Sequence, residues 1–391
     1  MTPAFLGGTP AFDPPLPFAR PTIEDPDVVL DRLDGVFAGG MLTDGPLVRE
    51  LEERIAEAFE VRHCVAVSSA TVGLMLVLQA VDPQGTVLLP SFTFSATAHA
   101  ARWNGADIAF ADCDPDTWTL RAGDVYGAPS VVVGVHVSGL PADVVALQEL
   151  ANEQRLFLVF DAAHGSGSRV TIGAKSRPVG GFGLAEVFSL TPTKVMSSAE
   201  GGLVTTNDAS LADHLRVARN YGNPGDYDTR FVGLNARLSE LHAALALESL
   251  DHLEDRVEYR NEVATRYHEV LGGIPGVGFQ HVPSWARSSY KDFTILLDEE
   301  AFGASRDSVA TALGADGVQT RKYYSPPVHR QKAYADVVSP ELPVTDRLAA
   351  QVISLPIWSH LPLEDVDRVG EVFAAIQEHA TEVQEDFESA D

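Results

Sequence analysis

The chain has 391 residues, 45% of them hydrophobic and 21% charged, which is the composition of a globular protein with room for about two or three domains of ~150 residues. Its formal charge of −27 excludes unassisted binding to nucleic acid or to an anionic membrane, because both repel an acidic field, and any anionic ligand must meet a local positive site. The two cysteines, Cys64 and Cys113, lie in no Cys-x-x-Cys pair, which fits a reducing cytoplasm; residues 1–22 lack the pattern of a signal peptide, and no run of about 18 apolar residues offers a membrane span.

The first thirty residues, rich in proline, predict an extended arm. Leu47, Leu51, Ile55 and Phe59 stand four apart and predict an amphipathic helix over Pro46 to Glu60. Strands and helices then alternate. Strands are expected from Cys64, over Thr86 to Pro90, Ile108 to Phe110, Val131 to His136, Leu156 to Asp161, Ala185 to Leu190 and Gly202 to Thr206. Helices are expected over Ala70 to Ala80, Ser95 to Trp103 and Ala142 to Gln154. Such alternation predicts an α/β fold, a mostly parallel sheet flanked by helices, spanning residues 31–250. A long helical pattern, Leu238 to Leu271, leads into a smaller α+β domain over residues 251–391, with a strand at Lys291 to Leu297, a helix at Ser305 to Leu313, a strand at Val352 to Leu355, a helix at Pro362 to Ala380 and a frayed acidic end from Glu382 to Asp391.

Four places in the large domain point to one kind of ligand. Ser69-Ala70-Thr71-Val72 sits at a strand-to-helix turn, where free amides and the helix dipole make an anion site; the alternative is an ordinary cap by Ser69 or Thr71. Phe94, past a strand, either lies flat against a ring-shaped ligand or belongs to the core. Asp161 ends a strand and either pairs with a protonated ring nitrogen or caps a helix. Ser189 lies near the end of the strand Ala185 to Leu190 and Lys194 just past it, thirty-three residues after Asp161. That lysine is either a solvated loop residue or a pocket amine of lowered pKa, ready to condense with an aldehyde. An anion cradle, an aromatic face, an acid and an amine together are what pyridoxal 5′-phosphate needs.

The segments TDGPLVRELEERIAEAF, SSATVGL, VLLPSFTFSATAHAARWNGADIAFADCDPDTW, LFLVFDAAHGSG, EVFSLTPTKVMSSAEGGLVTTND, GLNARLSELHAALAL and SLPIWSHL, in this order and spacing, resemble the DegT-type sugar aminotransferases among the fold-type I pyridoxal phosphate enzymes. The resemblance implies that Lys194 carries the cofactor and shuttles the proton, Asp161 holds the pyridine nitrogen, Phe94 stacks on the ring, His164 sits by the ring's 3-hydroxyl, and Ala70, Thr71, Val72 and Ser189 bind the phosphate. It implies that Asn235 reaches the phosphate of a second subunit, hence a homodimer with shared active sites. Many members have Gln in place of His164, and related dehydratases have His in place of Lys194; the lysine favours amino transfer. The implied reaction moves an amino group from an amino acid, glutamate by expectation, to a nucleotide-linked keto-deoxysugar, with a 4-keto-6-deoxyhexose as first choice. A 3-keto sugar or keto-cyclitol acceptor, or a non-catalytic cofactor-binding regulator, are the rivals. Arg237, Lys291, Arg321 and Lys322, with Tyr323, Tyr324 and His329, are the candidate readers of the anionic acceptor.

Overall fold

The computed structural model describes residues 1–390. Its strands are β1 (His63–Val67), β2 (Val87–Pro90), β3 (Ile108–Ala111), β4 (Val131–Val135), β5 (Phe157–Asp161), β6 (Arg169–Ile172), β7 (Lys175–Pro178), β8 (Ala185–Ser189), β9 (Gly202–Thr206), β10 (Val277–Phe279), β11 (Ala286–Arg287), β12 (Phe293–Leu297) and β13 (Val352–Leu355). Its helices are α1 (Pro26–Gly39), α2 (Pro46–Ala58), α3 (Ala70–Val81), α4 (Ser95–Trp103), α5 (Val144–Gln154), α6 (Ala209–Ala218), α7 (Glu240–Asp251), α8 (Leu253–Leu271), α9 (Glu299–Phe302), α10 (Arg306–Ala315), α11 (Pro343–Gln351), α12 (Leu363–Glu378) and α13 (Ala380–Ala390).

Seven strands form one sheet in the order β1-β9-β8-β5-β4-β2-β3. Strand β4 is buried at every residue, so both faces of the sheet are covered, as its continuous apolar run requires. Along it the side chains alternate: Val132 packs with α2, α5 and α7 on one face, whereas Val131 and Val133 pack with α3, α4 and α6 on the other. Each such fully buried valine, leucine or phenylalanine contributes about 1.5–3 kcal/mol. The mostly parallel sheet expected from the alternation is present. One strand departs from it, since β9 runs antiparallel to both neighbours, with Val65 opposite Val204 and Ser189 opposite Gly202. The chain can do this because β8 and β9 are joined by a loop at one end of the sheet, with no crossover helix between them.

A second core lies around the antiparallel sheet β10-β12-β13, where Tyr267, Phe293, Ile353 and Phe373 pack together. This core corrects three expectations. The helical pattern from Leu238 to Leu271 is two helices: α7 starts after Ser239, whose hydroxyl accepts the His242 N–H, and the helical run is interrupted at His252. Ala243, Ala246 and Leu247 of α7 face the first core, and α8 passes from that core, at Leu253 and Val257, to the second, at Val263, Tyr267 and Leu271. The end expected to fray is helix α13, because Ala380 and Val383 join the second core and Gln384 accepts the Ser305 amide at 2.9 Å; Asp391 lies outside the described residues. The arm is also shorter and better anchored than a proline-rich stretch implies. Helix α1 begins at Pro26, and before it Ala11, Phe12 and Leu16 are buried in the second core while Asp316 accepts the amides of Ala4 and Ala11. Among the described residues, no helix is long and apolar enough to cross a membrane.

Candidate active site

The carboxyl ends of the parallel strands converge on one cavity of about 900 Å³, open mouth included. The turn after β1 brings Ser69, Ala70 and Thr71 to it, the segment after β2 brings Phe94, the end of β5 brings Asp161 and then His164, and β8 with its following loop brings Ser189 and Lys194. Lys291, Tyr323 and Tyr324 complete the wall from the far side.

Each group is held by local structure. The Ser69 hydroxyl accepts the Val72 amide at 3.2 Å, so Ser69 caps helix α3. The amides of Ala70 and Thr71, one residue into the helix, have no protein partner among the described residues and carry the positive end of the helix dipole. Gly202 lets β9 pass close by, because a Cβ there would lie 2.5 Å from the Ala70 nitrogen. Asp161 is buried, with one oxygen accepting the Thr97 hydroxyl at 2.7 Å and the other accepting the Ala163 amide at 3.1 Å. Phe94 is 60% exposed even though it lines the cavity, which leaves a ring face for a flat ligand. Its reading as a core residue is thereby excluded, and Phe92, 1% exposed, is the core member of that pair.

Burial drives the Lys194 ammonium down to about 7, with the neighbouring Lys291 charge adding to it and Asp292 and Asp161 opposing it. Burial, helped by Lys194 and Lys291, holds His164 well below the usual histidine range, so its imidazole is neutral at physiological pH. Burial likewise pushes the Tyr324 phenol well up and keeps it protonated.

Other residues singled out in the sequence lie outside the cavity. Val72 is turned away from the lining, and its amide is spent on Ser69. Asn235 is exposed, and Arg237 donates to Asn220 at 2.7 Å and to Asn235 at 3.2 Å. Arg321 stacks on Phe18, 5.3 Å from its ring centre, and Lys322 pairs with Asp307 at 2.5 Å. His329 Nδ1 hydrogen-bonds the Ser91 hydroxyl at 2.6 Å, and its Nε2 lies 3.2 Å from the Asp346 carboxylate. Of the proposed acceptor readers, the structure brings Lys291, Tyr323 and Tyr324 into the cavity. Sequence reasoning missed Thr97 and Asp292. Thr97 carries a recognisable signal, a hydroxyl three residues after Phe94 on the same face of a helix start.

The donor set suits pyridoxal 5′-phosphate on its own chemistry: two free amides at a helix N-terminus for the phosphate, an exposed aromatic face for the ring, a fixed carboxylate for the ring nitrogen and an amine lowered to about 7 for the aldehyde. Fold and site together define a fold-type I pyridoxal phosphate-dependent transferase. The pattern of the DegT/DnrJ/EryC1/StrS aminotransferase family matches residues 26–374, and the chain belongs to that family. It is 34% identical over 353 residues to a UDP-N-acetyl-3-dehydro-alpha-D-glucosamine 3-aminotransferase of Acidithiobacillus ferrooxidans, covering 88% of this chain and 93% of that protein. It is 28% identical to the dTDP-4-amino-4,6-dideoxy-D-glucose transaminase of Escherichia coli, covering 91% and 97% of the two chains. Among solved structures it resembles DesI crystallised with its TDP-sugar product, at a TM-score of 0.91 and 39% identity over 99% of this chain and 98% of that one.

Proposed function

We propose that the protein transfers an amino group from an amino acid, glutamate in the first instance, to the keto carbon of a nucleotide-linked deoxysugar, a dTDP-4-keto-6-deoxyhexose, in the cytoplasm. The observation that carries this reading is an amine lowered to about 7, Lys194, sharing a cavity with the Asp161 carboxylate and the Phe94 ring. Bound there, pyridoxal phosphate supplies the aldehyde carbon that holds the amino group between donor and acceptor, and the electron sink that acidifies the adjacent C–H. The chain supplies the rest. Ala70, Thr71 and Ser189 anchor the phosphate, Asp161 keeps the ring nitrogen protonated, Phe94 orients the ring, and Lys194, once released, takes and returns the proton.

The TDP-sugar product bound to DesI supports the dTDP nucleotide and the E. coli transaminase supports position 4 of a dTDP-sugar, while the A. ferrooxidans relative supports a UDP-linked 3-keto acceptor as second reading. A homodimer fits the exposure of Leu30, Phe37, Met41 and Leu42, all above 50%, and the outward position of Asn235, free to enter a neighbour's site. We read the chain from helix α1 to residue 250 as the cofactor-binding unit, 251–391 as the second unit and the residues before Pro26 as the arm. The test is to supply the purified protein with pyridoxal phosphate, glutamate and either the 4-keto or the 3-keto sugar nucleotide, and to follow the aminosugar by mass spectrometry. Turnover of the 4-keto substrate alone is expected. Turnover of the 3-keto substrate alone replaces the acceptor assigned here, and cofactor retention without any turnover of glutamate refutes the enzyme.

A further inference from the structure

A second buried cation stands on the cavity wall, and the chemistry above leaves it unused. Lys291 is 4% exposed, and its ammonium donates to Asp292 Oδ1 at 2.6 Å and lies 5.6 Å from the centre of the Tyr323 ring. Asp292 is 3% exposed; its second oxygen has no hydrogen-bond partner, and His164 Nδ1 stands 3.7 Å from it. Arg260 fixes the backbone that bears the pair, by donating to the carbonyls of Tyr290 at 3.0 Å and Lys291 at 3.3 Å. Among the described residues lining the cavity, the lysines 194 and 291 are the only Lys or Arg side chains, and His164 is held neutral.

Two reactants of unlike charge have to share this space. The amino acid brings a carboxylate next to its reacting amine, whereas the sugar's reacting ring is uncharged and its anionic diphosphate lies several atoms away. An unpaired lysine on the wall would be costly with the sugar in place, and a wall without a cation would leave the donor's carboxylate buried and unmet. A lysine paired with its own neighbouring carboxylate meets both demands.

Resting on the aminotransferase reading, we infer that Lys291 is the seat of the amino donor's carboxylate. It turns part of its contact from Asp292 to the incoming acid and returns to Asp292 when the sugar takes the donor's place. During the donor half of the cycle, the loosened Asp292 carboxylate has His164 Nδ1 as the adjacent donor.

The test compares holoenzymes by calorimetric titration with glutarate, a dicarboxylate that cannot react. Lys291→Met is expected to weaken glutarate binding by ~10-fold or more, the effect of losing a charge-assisted hydrogen bond. In single-turnover experiments the same variant loses ~10-fold or more in the glutamate half-reaction, and its aminosugar-nucleotide half-reaction falls by a much smaller factor. Asp292→Asn leaves Lys291 without its counter-charge and binds glutarate more tightly than the native protein, a gain that damage to the fold does not produce. Lys291→Arg, which keeps the charge, recovers part of the affinity lost in Lys291→Met. Equal glutarate affinity in native and Lys291→Met proteins, or equal slowing of both half-reactions, overturns the inference and leaves Lys291 as a neighbour that only acidifies Lys194. A native protein that never turns over glutamate refutes the aminotransferase reading instead, while the glutarate titration still decides the carboxylate seat.

Discussion

Raising the pH of the cofactor-free protein through neutrality should convert Lys194 from an inert ammonium into a nucleophile. An ordinary lysine, at 10.5, is ~0.03% deprotonated at pH 7, whereas a group at about 7 is half deprotonated, a gain of ~10³-fold in reactive amine. The rate at which the apoprotein captures pyridoxal phosphate, followed by absorbance from pH 5.5 to 10, is therefore expected to rise through a midpoint near 7 and then level off. In Lys291→Met the midpoint should move upward yet stay well below 10.5, because burial is the larger cause and the Lys291 charge the second. Stability carries the same signature. Between about 7 and 10.5 the unfolded chain holds a proton that the folded chain has lost, so stability rises with pH across that window and is lowest below it. The buried charge costs at most about 5 kcal/mol at low pH, the 3.5-unit displacement converted at ~1.4 kcal/mol per unit. Lys194→Met lacks this slope and should melt above the native apoprotein at pH 6, with the difference vanishing towards pH 10.5. A capture rate that climbs without a midpoint up to pH 10, or identical melting slopes in the two proteins, would refute the reasoning.

Thr97→Val removes the hydroxyl that the Asp161 carboxylate accepts at 2.7 Å, at a cost of about 1.5–3 kcal/mol, so dialysis should show cofactor retention ~10- to 100-fold weaker. Thr93→Val, whose hydroxyl meets only that of Thr97, at 3.0 Å, should lose much less. Gly202→Ala drives a methyl group to within 2.5 Å of the Ala70 nitrogen and the Ser69 carbonyl carbon, both backbone atoms. A loss of about 1–3 kcal/mol in stability is expected, with a larger deficit in binding pyridoxal phosphate than pyridoxal, measured by thermal melts and by titration. Lys194→Ala should fold, bind the cofactor without covalent capture and transfer no amino group; full turnover by that variant, seen by mass spectrometry of the sugar, would remove the central assignment.

The parts of the molecule that were legible in the chain are those where one physical demand has one solution. A run such as Val131 to Val135 reads as a strand covered on both faces, and a carboxylate at the end of a strand, Asp161, reads as lying where the sheet opens to ligand, with helix capping as its rival until its neighbours are counted. Direction was not legible, because Gly202 to Thr206 is as apolar as its parallel neighbours and its reversal is set by a loop. Nor was the break at His252, since leucine spacing continues across it and Leu250 and Leu253, on either side, pack in the same core. The arm's Phe12 and Leu16 gave no hint of burial, because the surface that receives them is built about 250 to 370 residues later. In the site, Lys194 and Asp161 announced themselves through their neighbours. Lys291 could be named as a charge but not placed, and its pairing with Asp292 beside His164 joins positions more than a hundred residues apart.

The reversed strand has a further consequence. Because β8 and β9 lie side by side and point opposite ways, the Leu190 amide donates to the Gly201 carbonyl at 3.0 Å and the Ser198 amide to the Leu190 carbonyl at 2.8 Å, which closes the lysine-bearing segment at its own base. The segment is thus a closed loop with its own hydrogen-bonded base. Val195 and Met196 root it in the first core, so freedom to exchange residues around the amine is confined to the half-buried and exposed stretch from Thr191 to Thr193, while the frame beneath it stands still.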